Sequence, residues 1–262
     1  MWRYLRLYAH FIRFSLGRAM TYRVDFFFMI VMDIFYYAFN FAFYKILYLK
    51  TTTLAGWNEP QIMVFIACYL VVDALNMTLF SNNAIWLPIF IQRGDLDYYL
   101  TRPVSSLFFL SVRDFAANSC IALFMAFCIL GWTLHQYPEP LGFWKVVMLV
   151  GLLLNGAFLY HLVHLAMLIP VFWSHSGGGL PQLFMSLNKT MERPDRVFQG
   201  WTRVLFTMLI PFSVIASFPA RLVLERFDWP IFAQLVGVTL LFTIFIKYFW
   251  EKGLKAYSSA SS

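Results

Sequence analysis

Charge is scarce in this chain. Of its 262 residues only 13% are Asp, Glu, Lys or Arg, against roughly 25% in soluble domains, which excludes a fold whose surface lies mostly in water. Cysteine is sparse as well. Cys68, Cys120 and Cys128 are odd in number, lie inside apolar runs and show neither C-x-x-C spacing nor a metal pattern. A disulfide framework and a cysteine-based zinc site are therefore excluded, and the three read as small buried hydrophobes. No Gly-Lys-Ser or Gly-Lys-Thr occurs, so the P-loop that would cradle nucleotide phosphates is missing and any ATP hydrolysis must come from another chain. The first residues carry Arg3, Arg6, Arg13 and Arg18 but no compact apolar stretch followed by a cleavage site, so they are expected to stay in the protein.

What is abundant is apolar length. The chain is 61% hydrophobic, with 30 Phe, 14 Tyr and 9 Trp, more aromatic surface than a soluble core could hide. A spanning helix needs about 20 mostly apolar residues, and six stretches qualify: 24–49, 61–80, 115–134, 143–173, 201–218 and 231–250. The expected fold is an all-α polytopic membrane protein with six transmembrane helices in one domain over 1–262. With a cytoplasmic N-terminus, the segments between spans place 15 Lys and Arg inside against 5 outside, the asymmetry that short loops obey, so both termini are expected in the cytoplasm. The net charge of +7 is thereby explained by membrane orientation, and no nucleic-acid partner is expected.

Residues 1–23 place Arg3, Arg6, His10 and Arg13 on one face of a helix, opposite Leu5, Tyr8, Ile12, Leu16 and Ala19. This is an interfacial, elbow-like helix before the first span. Leu7 and Phe14 interrupt its polar face, so part of it is expected to touch protein.

Two segments are expected to meet partners: 81–114 and a second cytoplasmic loop, 174–200. In the first, Gly94 breaks the preceding helix, Asp95 is placed to cap a new one of about two turns, and Pro103 stops it. Leu96, Tyr99 and Leu100 fall on one side, so this helix suits a groove on a soluble partner; an ordinary interfacial connector is the alternative. In the fifth apolar stretch Pro211 removes a backbone hydrogen bond and marks a kink. Residues 217–228 hold a second proline and four charges, which suits an outer helix or re-entrant segment over 217–230. His175, Ser176 and the three glycines that follow read as a flexible loop.

Ionisable groups at membrane depth are candidates for function. Asp33 and Asp73 are expected at similar depth, either handling a proton or cation between them or each capping or bonding a neighbouring helix. His161 and His164, three residues apart, share a face of the fourth span. With no H-E-x-x-H and no third ligand, a metal site is not expected there.

The run R-G-D-L-D-Y-Y-L-T-R-P-V-S at 93–105, with E-R-P-D-R-V-F-Q-G-W-T-R from Glu192 and I-P-F-S-V-I-A-S-F-P-A ending at Ala220, resembles the permease subunits of type-2 ABC exporters, in the branch of bacterial drug and viologen exporter permeases. The resemblance covers essentially the whole chain. It implies that Arg93, Gly94, Asp95, Leu96, Asp97, Tyr98, Tyr99, Leu100 and Arg102 form an ATPase-coupling element. It also implies two copies of a separate ABC ATPase, which would carry ATP and Mg, and a second permease subunit, identical or homologous. The setting would be the bacterial inner membrane, among its lipids. Asp33, Asp73, His161, His164 and Pro211 are then the candidates for the substrate path. The alternative is an intramembrane lipid-modifying enzyme using His161, His164 or His175 with an aspartate.

Overall fold

The computed structural model describes residues 2–19, 23–139, 141–174 and 179–257. Among them every regular element is a helix, and the one β-bridge joins Leu54 to Trp57 in a tight turn. The chain begins with α1 (Trp2–Ala19) and α2 (Arg23–Tyr48). Helix α3 (Glu59–Arg93) opens on a capping box, in which the Asn58 side chain accepts from the Gln61 amide and Gln61 returns the contact, with Pro60 in the first turn. After α3 come two short helices, α4 (Asp97–Leu100) and α5 (Ser106–Val112), then α6 (Ala117–Gln136) and α7 (Phe143–Ser174). The last third holds α8 (Leu180–Asn188), α9 (Gly200–Leu209), α10 (Phe212–Leu224) and α11 (Trp229–Ala256).

Five helices are long and apolar enough to cross a membrane: α2 over Phe27–Tyr48, α3, α6, α7 and α11. Of the apolar stretch of α3, 83% is buried, against 17% for α2, so α3 is the axis of the bundle and α2 a flank. All thirteen residues of α10 are buried too. It reaches the axis because Gly156 of α7 has no side chain: a Cβ there would meet the carbonyl oxygen of Ile215 at 2.5 Å. Small residues permit such close helix contact where no hydrophobic drive from water exists.

The bundle has a proximal end, holding Arg93, and a distal end, holding Tyr48 and Glu59. Both ends of the described chain lie proximally. The Ser105 amide donates to the Tyr4 hydroxyl of α1 (3.4 Å), and Trp250 of α11 donates to the Ser106 hydroxyl (3.1 Å). Arg6, His10, Arg13 and Phe14 of α1 are exposed. Leu7 and Phe11 pack inward, Phe11 edge-on to Phe109 at 5.2 Å, so α1 does touch protein. The side chains of Arg3, Leu5, Leu16, Arg18 and Ala19 lie outside the described residues.

Three expectations change. The second span does not stop at 80: α3 continues through a π turn (Met77–Ser81) and past Pro88 to Arg93. The π turn frees the Thr78 carbonyl, which accepts from the Ala116 amide at 2.9 Å and ties α3 to the start of α6. The fifth stretch is bent rather than straight. Pro211 breaks it, α9 and α10 meeting at 91° and together long and apolar enough for a sixth, broken span or a re-entrant element, and 217–224 continue the buried α10.

The segment 174–200 is not a loop beyond the spans. Residues 175–178 lie outside the described residues, but α8 climbs back between helices, with Phe184 stacked on His164 of α7 at 3.8 Å. By residue 196 the chain has reached the distal end, where Arg196 and Trp57 share Glu225. Arg196 and Arg203, expected on the inner side, therefore lie at the distal end.

Candidate functional site

At the proximal end, Gly94 stops α3 in a left-handed conformation (φ 78°) that a β-carbon would strain. The chain then makes one compact turn. Asp95 does not cap it: Leu96 occupies the N-cap position without a side-chain bond, and α4 is a single turn instead of two. Leu96 is fully buried and Tyr99 nearly so, whereas Tyr98, Leu100, Arg93 and Asp95 are exposed. The predicted apolar side is thus divided, Leu96 and Tyr99 anchoring the turn and Tyr98 and Leu100 presenting it.

Two arginines fix the anchor. The Arg113 guanidinium lies 4.9 Å from the ring centres of both Phe90 and Tyr99 and donates to the Tyr99 hydroxyl. Arg102 covers Tyr98 at 4.4 Å and Phe109 at 5.3 Å. Cation–π contacts of this kind are worth about 0.5–2 kcal/mol each. They join α3, the turn and α5 into one body. Just beyond α11, burial raises the Tyr257 phenol above its ordinary pKa, the Asp97 carboxylate adding to the shift, so the last described residue also sits against this turn.

Deeper in the bundle a cavity of about 520 Å³ opens between α2, α3, α7, α8 and the turn Lys189–Glu192. Asp33 and Asp73 both line it, as their predicted depths require, and His164 joins them. Among the described residues neither aspartate bonds a neighbouring helix. Glu192 is the third carboxylate; the hydroxyls of Tyr36 and Tyr69, 2.6 Å apart, both reach its Oε1 at 3.4 Å, and its backbone carbonyl accepts from Tyr44. His161 lies outside the lining. It is buried, stacked on Phe80 at 4.4 Å, with neither ring nitrogen hydrogen-bonded. Pro211 lies at the break between α9 and α10, also off the cavity. His175 lies outside the described residues.

A family model described as ABC-2 family transporter protein matches residues 34–261, from within α2 to the C-terminal end. The chain belongs to the ABC-2 family of transporter proteins. No individual curated protein and no solved structure gives a match.

Membership in the ABC-2 family makes the chain a membrane permease component of an ABC transporter, a transport component and not itself an enzyme. Among the described residues no group of three His, Cys, Asp or Glu side chains is placed to hold a metal ion.

This ABC-2 permease also holds a polar cluster at the distal end that was not among the expected sites. Asp195, fully buried, accepts from Arg221 Nη1 at 2.7 Å, Ser217 Oγ at 2.5 Å and Arg203 Nη2 at 3.5 Å. Beside it Glu225 accepts from Arg196 at 2.7 Å and from the Trp57 indole at 2.6 Å. These pairs hold the non-helical crossing at 193–199 to α10 and to the turn before α3. The signal was present in E-R-P-D-R, where alternating charges on a membrane-depth segment require partners, but its partners lie 26 and 29 residues downstream.

Proposed function

We propose that the chain is the transmembrane subunit of an ATP-driven exporter. It would form the substrate path with a second permease subunit, identical or homologous, and couple to a separate ABC ATPase present in two copies, which binds ATP and Mg. The observation that carries this reading is the turn at Gly94–Arg102. It is exposed at Tyr98 and Leu100, yet bound rigidly through Leu96, Tyr99 and Arg113 to the end of a 35-residue helix. A push on that turn is delivered along α3, the axis of the bundle and a wall of the cavity. The basic residues gathered proximally support a cytoplasmic location for that end and for both termini, in a bacterial inner membrane. Within the single domain, α1 acts as the interfacial elbow and 81–114 as the coupling segment.

The test is co-purification of the full chain with ABC ATPases encoded beside it, followed by ATP hydrolysis and vesicle transport. Tyr98→Glu and Leu100→Glu are expected to abolish association while leaving thermal unfolding unchanged. Association that survives both substitutions would exclude this turn as the coupling element.

A further inference from the structure

At the distal end of the flank, two opposite charges share one recess without pairing. Lys45 lies in the last turn of α2 and Glu59 in the first turn of α3. Each suits its helix end, a cation against the C-terminal dipole and an anion against the N-terminal one. That accounts for their types and leaves their common recess unexplained. Both line a hollow of about 450 Å³ between α2, α3 and α6, and Gln136 of α6 adds an amide to the same polar rim. Among the described residues neither charge closes an ion pair with the other or with a third group.

Below the rim the hollow is walled by Phe41 and Trp132, which meet edge to face at 6.5 Å. The same two rings form the mouth of a second, almost wholly apolar groove of about 430 Å³ between α2 and α6. Ala38 keeps its α2 wall low, and Phe124, Met125 and Cys128 line the α6 side. The Tyr37 hydroxyl ties the two helices together near the inner end, donating to the Ala122 carbonyl at 3.2 Å. Phe124, Cys128 and Trp132 are exposed, so no described part of the chain covers the groove.

Its depth sets the kind of occupant. Lys45 at the rim and Ile34 at the inner end are eleven residues apart on α2, about 16 Å at ~1.5 Å per residue. The hydrocarbon of one leaflet is about 15 Å deep, half of a core of about 30 Å. A chain that starts at the rim and ends beside Ile34 therefore stays within one leaflet. Trp132 stands at the neck, as indoles do where headgroup meets hydrocarbon. A lysine ammonium donates to phosphate oxygens and a carboxylate accepts from an ammonium, each bond strengthened by charge. An unpaired cation and an unpaired anion above one acyl-deep groove match a headgroup that carries both signs.

We propose that the α2–α6 face binds a zwitterionic glycerophospholipid of the distal leaflet, its phosphate at Lys45, its ammonium at Glu59 and one acyl chain along Phe41, Trp132 and Met125. The site shares only Tyr37 with the carboxylate-lined cavity. It concerns a lipid held on the flank and not cargo, so it goes beyond the permease reading and does not depend on it.

The test is native mass spectrometry of the full chain, released from a neutral saccharide detergent and titrated with either of two lipids. One is dioleoyl phosphatidylethanolamine; the other is dioleoyl phosphatidylglycerol, which has the same chains and phosphate but no ammonium. The ethanolamine lipid is expected to fill the first site at least about tenfold more tightly, the scale of one hydrogen bond to a charged group. Glu59→Gln should bring the two lipids within about twofold of each other, whereas Lys45→Gln should weaken both by about tenfold. Ala38→Phe, which fills the groove, should weaken both as well. Lys50→Gln, at the same end but off the site, should change neither. All four positions are exposed, and an unchanged melting temperature separates lost binding from lost fold. Equal first-site binding of the two lipids by the parent, a preference that survives Glu59→Gln, or Lys50→Gln as damaging as Lys45→Gln would overturn the proposal. So would a chain found only as a lipid-free dimer, since a second copy would then cover the groove.

Discussion

Replacing Gly156 by alanine tests the contact that places α10 at the axis. The added methyl would sit 2.5 Å from the Ile215 carbonyl oxygen, where ordinary contact begins at 3.4 Å, so about 0.9 Å must open between two helix backbones. A backbone carbonyl inside a helix has no rotamer by which to move aside. The separation must be taken up by α7 and α10 as whole elements, and overpacking of this kind costs about 1–3 kcal/mol. At roughly 2–4 °C per kcal/mol for a chain of this size, the apparent Tm should fall by roughly 2–12 °C. Gly151→Ala is the internal control, because it lies on the same helix with nothing within 4 Å of the new methyl, and alanine favours helix over glycine. The assay is thermal unfolding of the full chain in one detergent, followed by intrinsic fluorescence. If Gly156→Ala melts at or above the parent while Gly151→Ala melts below it, the close approach of α7 and α10 is wrong.

Other substitutions probe the remaining joints. Asp195→Ala removes the nearer carboxylate from Arg221, leaving only Glu225 at 3.9 Å, in a site where that side chain is 10% exposed. Breaking such a pair costs about 3–5 kcal/mol, and adding Arg221→Met should restore part of the lost Tm. Leu96→Ala empties a fully buried position and should lower stability by about 2–5 kcal/mol, whereas Leu100→Ala, on the exposed side of the same turn, should leave the Tm unchanged. Arg113→Met keeps the stem but removes the guanidinium from Phe90 and Tyr99. In the assembled complex it should leave ATP hydrolysis measurable while transport per ATP falls. Unchanged transport per ATP would show that the turn needs no clamp.

How much of this was legible beforehand differs by element. The helices α2, α3, α6, α7 and α11 follow from uninterrupted apolar length, which nothing in the tertiary fold overrides. Gly94 was readable as a stop because only a left-handed residue ends α3 there, and for Asp33 and Asp73 helix rise could indicate a similar depth. The route from Leu180 to Gly200 was not. Its charges and prolines resemble a solvated connector, and only pairing across the fold, Asp195 with Arg221 and Arg196 with Glu225, lets it run through the bundle. Glu192 was missed as a cavity residue for the same reason. The inward turn of Leu96 and Tyr99 was hidden because helical spacing groups residues by side without saying which side faces protein.

The most direct test of coupling is site-specific photo-crosslinking in the assembled complex. Benzoylphenylalanine placed at Tyr98 should capture the ATPase subunit, and the same group at Trp229, exposed at the distal end, should not. Capture from 229 and none from 98 would contradict the assignment of the Gly94–Arg102 turn as the point where ATP-driven motion enters the membrane.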